Sequence, residues 1–181
     1  MYSEKDIIEG CKKGQHKSFE SLYQKYAGRL LSIAMRYSFT TFEAEDILQE
    51  SFIKIFHSIN TYESKGSFEG WLKRIVVTTA INHYHKDKLK QSQTDHTIMS
   101  DEEANDVVDI ISKISADELL EIIQTIPAGY RMVFNMYVIE GYTHREIAEL
   151  LSISEGTSKS QLAKGRALLK TKLLQKGIIT I

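Results

Sequence analysis

The sequence is poor in the features that support disulfide-rich, secreted or membrane-spanning proteins. Cys11 is its only cysteine, so no disulfide can form within the chain and we expect a reducing, cytoplasmic environment. No apolar run approaches the roughly 20 residues that a membrane-spanning helix needs. The first ten residues also lack a basic segment followed by an apolar one. We therefore expect neither a secretion signal nor membrane insertion.

Proline and strand-like alternation are scarce too. Pro127 is the only proline, whereas apolar residues recur at three- and four-residue steps along most of the chain. Serine or threonine followed three positions later by glutamate marks helix starts at three places: Thr40 with Glu43, Ser115 with Glu118, and Thr143 with Glu146. The pattern predicts an all-α protein with helices over 4–13, from Phe19, over 42–59, over 68–88, over 115–126, over 127–141, and two more to the end.

Residues 89–114 interrupt this helical pattern. They contain no aromatic residue and carry two basic side chains against six acidic ones. Such a composition is typical of a linker, because it offers little apolar surface to bury. We therefore expect two small helical domains, residues 1–88 and 115–181, joined by a flexible acidic linker over 89–114.

The end of the chain has no acidic residue after Glu155, although six basic residues follow it: Lys159, Lys164, Arg166, Lys170, Lys172 and Lys176. Two helices are predicted here, one capped by Thr143 and one by Ser154, with a three-residue turn between them. Two short helices with a tight turn form a helix-turn-helix, in which the second helix reads DNA.

The second of these helices has two different faces. One face carries Ser158, Leu162, Gly165 and Leu169, and the glycine indicates a close backbone approach. The other face carries Thr157, Ser160, Gln161 and Lys164. Hydroxyls and lysines bind phosphates, and glutamine can bind adenine through two hydrogen bonds. This face is predicted to enter the major groove; the alternative is a solvated, lysine-rich surface hairpin.

The helix over 42–59 is predicted to bury five apolar residues: Ile47, Leu48, Ile55, Phe56 and Ile59. Its opposite side carries Asp46, Gln49, Glu50 and Ile53 at helical steps. An acidic stripe repels DNA, so this side faces either a protein partner or solvent.

The next helix begins with aromatic residues and continues with basic and polar ones: Phe68, Trp71, Lys73, Arg74, Thr78, Asn82, His85 and Lys86. Aromatic rings beside basic groups can stack unpaired bases and hold their phosphates. The alternative is that Trp71 belongs to the core.

Three motifs in this order resemble the extracytoplasmic-function group of bacterial RNA polymerase sigma factors, over nearly the whole chain. "AEDILQESFIKIF" resembles the helix that binds the polymerase clamp. "SFEGWLKRIVVTTAINHYHK" resembles the helix that recognises the melted minus-ten element. "IPAGYRMVFNMYVIEGYTHREIAELL", followed by "GTSKSQLAKGR", resembles the domain that reads the minus-thirty-five element.

The resemblance implies a sigma factor that brings core RNA polymerase to promoters, helps to melt them, and is held inactive by an anti-sigma factor. It implies polymerase contacts by Asp46, Gln49, Glu50 and Phe52. It implies minus-ten contacts by Asn60, Tyr62, Ser64, Phe68, Trp71, Lys73, Arg74, Thr78, Asn82, His85 and Lys86, with the loop over 60–67 as a pocket for a flipped base. It implies minus-thirty-five contacts by Thr143, Arg145, Thr157, Lys159, Ser160, Gln161, Lys164 and Arg166.

The sequence departs from the family's usual pattern at five positions: Val77, Thr78, His85, Ser158 and Gln161. The family often has arginine and asparagine at the first two, arginine at the third, and valine and arginine at the last two. These departures bear on individual base contacts, and they indicate an unusual promoter preference or weaker binding.

Enzyme chemistry and metal binding find little support. The spacing of His83 and His85 directs them to different helix faces, and Cys11 lies near a helix C-terminus, which disfavours a thiolate. We expect no cofactor, metal site or catalytic residue. Two other classes stay open: a stand-alone DNA-binding regulator whose N-terminal helices dimerise or sense a ligand, and a helical adaptor without nucleic acid.

Overall fold

The structure, a computed structural model, describes residues 2–90 and 115–178. These residues form eight α-helices: α1 Glu4–Lys12, α2 His16–Tyr37, α3 Thr41–Ser58, α4 Phe68–Lys90, α5 Ala116–Gln124, α6 Ala128–Phe134, α7 His144–Leu151 and α8 Glu155–Gln175. No strand occurs among the described residues. The chain divides into two compact units, Met1–His83 and Tyr84–Ile181. The all-α prediction is confirmed, whereas the predicted linker lies, from residue 91 on, outside the described residues.

Helix α1 is held tightly against α2. A Cβ atom added at Gly10 would lie 1.9 Å from the Ser18 Oγ, so only glycine permits this approach. The buried hydroxyl of Tyr26 donates a hydrogen bond to the carboxylate of Glu4, and burial together with this bond raises the pKa of Tyr26. Cys11 is buried in the same contact, and burial raises the pKa of its thiol to about 11. A neutral, buried thiol agrees with the expectation that Cys11 is not an activated nucleophile.

Helix α3 begins with half of its predicted capping box. The Thr40 hydroxyl accepts a hydrogen bond from the Glu43 N–H, but the Glu43 carboxylate accepts from the Phe39 N–H. The predicted burial of Ile47, Leu48, Ile55 and Ile59 is confirmed. The predicted burial of Phe56 is wrong, since this side chain is 52% exposed. Each helical residue turns by about 100°, so the residue after the buried Ile55 points away from the core, and its ring packs at the surface, 4.4 Å from that of Phe19.

Polar contacts join α3 to α4. The Glu50 carboxylate lies 2.8 Å from the Lys54 Nζ and 2.8 Å from the His83 Nε2. The Lys54 ammonium also donates a hydrogen bond of 3.1 Å to the Thr79 hydroxyl. The hydrogen bond from Lys54 and then that from His83 lower the pKa of Glu50 to about 2. Four side chains from two helices therefore share one charge network.

In the second unit, the ends of the helices follow the sequence closely. Thr143 and Glu146 form a complete capping box at the start of α7. Gly141 adopts the left-handed conformation, with φ of 78°, as expected for a helix stop. Pro127 is the N-cap of α6, immediately before its first turn. A π-helical segment, Asn135–Ile139, extends α6, and no sequence pattern had indicated it.

Helices α7 and α8 form the predicted helix-turn-helix. Helix α7 ends at Leu151, the turn contains Ser152 with φ of 53°, and the Ser154 hydroxyl caps α8. The inner face of α8 is buried as predicted, with Ser158, Leu162, Gly165 and Leu169 all inside the unit. A Cβ atom at Gly165 would lie 3.3 Å from the Tyr130 carbonyl oxygen. The close backbone approach predicted at Gly165 is therefore confirmed.

Two glycine substitutions should have opposite effects on stability. Gly10→Ala should destabilise the protein by about 1–3 kcal/mol, because the new methyl group overpacks the α1–α2 contact. Gly28→Ala should stabilise it by up to about 1 kcal/mol, because alanine favours the helix and a Cβ atom there meets nothing within 4 Å. Urea denaturation measures both. Unchanged or higher stability of Gly10→Ala would contradict the account of Gly10, and lower stability of Gly28→Ala would contradict that of Gly28.

The Glu50 network should weaken in acid. The folded pKa of about 2 lies below the ordinary 4.5, so the ionised carboxylate stabilises the fold above pH 4.5 and the benefit is lost as the pH falls towards 2. Glu50→Gln should therefore be less stable than wild type at pH 6, and the deficit should be smaller, though not absent, at pH 3, which still lies above the folded pKa of about 2. Denaturant midpoints at both pH values check this, with the exposed Glu20→Gln as control. An equal deficit at both pH values would show that the charge is not responsible.

Candidate polymerase and nucleic-acid interfaces

Helix α3 presents an exposed stripe to solvent. Its members follow one another at steps of four, three, four and three residues: Phe42, Asp46, Gln49, Ile53 and Phe56. Three of the five are large and apolar, with Phe42 71%, Ile53 58% and Phe56 52% exposed. This α3 stripe has the alternating four-three spacing of a helix face that packs along another helix. Large exposed apolar residues in such a row mark a protein-binding surface.

The four predicted polymerase-binding residues do not all lie on one face of α3. Asp46 and Gln49 are exposed and lie in the α3 stripe. Phe52 lies beside the stripe, half-buried, with its ring 4.7 Å from that of Tyr23. Glu50 instead faces α4, where Lys54 and His83 hold its carboxylate. The exposure of Phe42 and Phe56 in this row was not predicted, because the sequence analysis gave Phe42 no role and assigned Phe56 to the core.

The loop over 60–67 is closed by its own contacts. Ser64 and Gly66 adopt left-handed conformations, with φ of 59° and 91°. The Tyr62 side chain is buried, and its hydroxyl donates a hydrogen bond of 3.0 Å to the Gly66 carbonyl oxygen. Asn60 and Ser64 are exposed. Of the three loop residues predicted to contact the minus-ten element, Tyr62 thus lies inside and the other two lie outside.

The aromatic residues at the start of α4 form a three-ring cluster with Tyr62 of the preceding loop. Phe68 is buried and stacks with Trp71, with ring centroids 5.8 Å apart and planes 15° apart. The Tyr62 ring lies 5.5 Å from that of Trp71 and 5.0 Å from that of Phe68, so each of the three rings contacts the other two. Trp71 is half-buried, so part of its indole reaches solvent. Phe68 was predicted to contact DNA, but the structure places it in the core beneath Trp71.

The polar residues predicted to bind the melted strand lie along α4. Arg74, Thr78, Asn82 and Lys86 are exposed, whereas Lys73 and His85 are half-buried. The Thr78 hydroxyl donates to the Arg74 carbonyl oxygen at 2.8 Å, which leaves an oxygen lone pair facing outward. Val77 is buried, so the departure at that position affects the core and not the polar face.

The outer face of α8 is basic but only partly exposed. Lys159 is exposed, whereas the other predicted contacts on this helix are half-buried: Thr157, Ser160, Gln161, Lys164 and Arg166. Gln161 lies against α6, because a Cβ atom at Gly129 would be 3.4 Å from its Nε2. The Lys164 ammonium lies 5.9 Å from the centre of the Tyr130 ring. These contacts place the Gln161 amide against α6 and the Lys164 ammonium beside an aromatic ring.

The start of α7 fixes the orientation of α8. The buried Ser158 hydroxyl lies 2.9 Å from the His144 Nδ1, and the His144 ring stacks on Tyr137 at 4.4 Å. Burial first, and then the positive charges of Lys159 and Arg166, lower the pKa of His144. Ser158 is therefore a partner within the helix-turn-helix and does not face the groove.

The two predicted DNA contacts near the start of α7 differ in their surroundings. The Thr143 hydroxyl caps the helix through the Glu146 N–H and also donates to the Glu146 carboxylate. Arg145 is exposed, with its Nε 3.4 Å from a Glu149 carboxylate oxygen. An exposed pair of this kind is weak, so the Arg145 guanidinium can exchange it for a phosphate.

Neither a metal cluster nor a membrane span is found in the part of the chain that the structure describes. Across residues 2–90 and 115–178, no group of three or more histidine, cysteine, aspartate or glutamate side chains could hold a metal ion. No helix in the same residues is long and apolar enough to cross a membrane.

Comparison with known families and proteins gives consistent results. Residues 22–89 match Sigma-70 region 2, and residues 116–169 match Sigma-70, region 4. The chain is 25% identical over 178 residues to the ECF RNA polymerase sigma-E factor of Haemophilus influenzae, covering 92% of this chain and 93% of that protein. It is 26% identical over 177 residues to the corresponding Escherichia coli factor, covering 92% of each.

A solved structure shows the same fold. The sigma factor RpoE of Bartonella quintana, solved in complex with the anti-sigma factor NepR, aligns with a TM-score of 0.51 and 16% identity. The alignment covers 88% of this chain and 98% of that one. With two family regions matched in order over more than half of the chain, the resemblance inferred from the sequence is confirmed: the protein belongs to the extracytoplasmic-function group of sigma-70 RNA polymerase sigma factors.

Proposed function

We propose that this sigma factor binds core RNA polymerase through the α3 stripe and reads promoters with α4, the loop over 60–67 and the helix-turn-helix. The single observation that carries the proposal is the exposed row of apolar and polar residues on α3. It lies within the region that matches Sigma-70 region 2. Among the described side chains of the second unit, only Leu168, at 36%, is a large apolar residue that is exposed, so no comparable row occurs there.

The chemistry of the α3 stripe suits a helical protein partner. Apolar residues at both ends, Phe42 and Phe56, would anchor the contact, with Ile53 between them. Asp46 and Gln49 supply a negative charge and an amide to fix the register of the partner. A partner with basic and apolar residues along one helix complements this row. The clamp helices implied by the family resemblance are the occupant we propose.

The minus-ten element would be bound by α4 and the adjoining loop. Trp71 offers part of an indole face to an unpaired base, supported from beneath by Phe68. Arg74 and Lys86 would hold phosphates of the melted strand, and Asn60 and Ser64 would line the pocket for a flipped base. Tyr62 and Phe68 serve this site from inside, as supports of the surface residues.

The minus-thirty-five element would be bound by the helix-turn-helix. Helix α8 begins at a serine cap, so its N-terminus carries partial positive charge towards a phosphate. Lys159 and Ser160, one turn inside the helix, would contact the duplex, and Lys164 and Arg166 would follow the backbone. The Gln161 amide lies against Gly129, so we expect Gln161 to contribute less to base recognition than a fully exposed glutamine would.

The remaining assignments follow from the family. The chain would act in the cytoplasm, where RNA polymerase works, and would perform no chemistry of its own. The sigma factor of Bartonella quintana was solved with an anti-sigma factor bound. We propose the same kind of control for this chain, with residues 89–114 as the connector between domains 1–88 and 115–181.

The α3 stripe can be tested by co-elution with purified bacterial core RNA polymerase. Asp46→Ala combined with Gln49→Ala should weaken the complex by at least about tenfold, because both groups lie at the centre of the row. Glu20→Ala combined with Gln24→Ala removes an acid and an amide from the exposed face of α2 and should bind like wild type. Equal binding by the stripe variant and wild type would contradict the assignment of this surface.

A further inference from the structure

Helix α1 lies outside the residues that match Sigma-70 region 2, since the match begins at residue 22. Its last residue nevertheless contacts the loop over 60–67. The Lys12 ammonium donates a hydrogen bond of 2.6 Å to the Tyr62 carbonyl oxygen. The same ammonium lies 5.9 Å from the centre of the Tyr62 ring. One side chain of α1 thus contacts both the backbone and the ring of a loop residue 50 positions away.

The loop over 60–67 requires stabilising contacts, because its backbone conformation is energetically unfavourable. Ser64 adopts φ of 59°, a region that residues with a Cβ atom occupy at a cost of order 1 kcal/mol. Gly66, with φ of 91°, requires glycine at its position. The hydrogen bond from the Tyr62 hydroxyl to Gly66 closes the loop at its far end. Lys12 fixes the near end, at the carbonyl of the same tyrosine.

Helix α1 is rigid enough to act as this support. Gly10 lets it lie directly against α2, and the bond from Tyr26 to Glu4 fixes its first turn. Ile7 and Cys11 are buried in the contact, one and two turns along. The charge of Lys12 also lies at the C-terminal end of α1, where the helix dipole favours a cation. The Lys12 side chain therefore extends from a helix that is packed in place.

We propose that α1 is part of the promoter-reading site and that Lys12 is a positioning residue for the base-binding loop. This inference rests on the proposed function of the loop over 60–67. Lys12 acts through Tyr62: it holds the carbonyl, the held ring supports Trp71, and the exposed Asn60 and Ser64 keep one arrangement around the base. Loss of the ammonium leaves the chain folded and the loop in several arrangements.

Lys12→Met keeps the aliphatic stem and removes the ammonium. Lys13→Met is the matched control, because Lys13 is the exposed neighbour of Lys12 and this substitution removes the same charge. Lys12→Arg restores a donor for the Tyr62 carbonyl. Holoenzyme is assembled from core RNA polymerase and each variant, and is incubated with a pool of single-stranded oligonucleotides randomised at every position. Sequencing of the bound fraction gives the base preference at each position, and filter binding gives the total affinity.

Wild type and Lys13→Met are expected to select one base strongly at one position. Lys12→Met should reduce that selectivity by about tenfold, the effect of losing one base-specific contact. Its total affinity for the pool should equal that of Lys13→Met, and Lys12→Arg should recover most of the selectivity. Tyr62→Phe, which removes the bond to Gly66, should lower selectivity at the same position.

Two results would overturn the inference. In the first, Lys12→Met keeps the selectivity of wild type, or loses total affinity with unchanged selectivity, as a plain phosphate contact would. In the second, wild type itself selects no base; that outcome removes the proposed function of the loop, and with it the role of Lys12. The second result is visible in wild type alone, so the two failures are distinguishable.

Discussion

The first unit depends on the fixed rotation of α3, which buries one side of the helix and exposes the α3 stripe on the other. The inner side of α3 is fixed by buried residues such as Ile47 and Ile55 and by the charge network of Glu50. With the helix held in one rotation, the α3 stripe must face outward. The exposed apolar surface of Phe42 and Phe56 lowers solubility, which is understandable in a sigma factor that works bound to a partner.

In the second unit, the orientation of α8, the helix proposed to read DNA, is also fixed by specific contacts. Gly165 brings α8 against Tyr130, and the bond between Ser158 and His144 fixes its first turn relative to α7. The family usually has valine at the position of Ser158, so a polar pair replaces an apolar contact at the centre of the motif. A buried hydroxyl needs a partner, and His144 provides it. This departure from the family pattern therefore has an internal explanation and need not involve a base.

Much of the fold could be predicted from the sequence, because helix periodicity, caps and glycines are local signals. The complete capping box at Thr143 and the close approach at Gly165 are examples. The features that could not be predicted depend on the rotation of a helix about its axis and on contacts between residues that are far apart in the sequence. The exposure of Phe56 follows from one helical step, the inward turn of Tyr62 follows from a closed loop, and the contact from Lys12 spans 50 positions. The family resemblance supplied the function, whereas the tertiary contacts show which of the predicted site residues are exposed and which are buried.

The central claim, that this chain directs core RNA polymerase to promoters, is tested most directly by mapping transcript starts. Core enzyme is incubated with a library of random double-stranded sequences, with and without the chain, and the 5′ ends of the transcripts are sequenced together with their templates. The account predicts starts that depend on the chain and share two short upstream elements at a fixed spacing, one for each domain. Identical starts with and without the chain would contradict it.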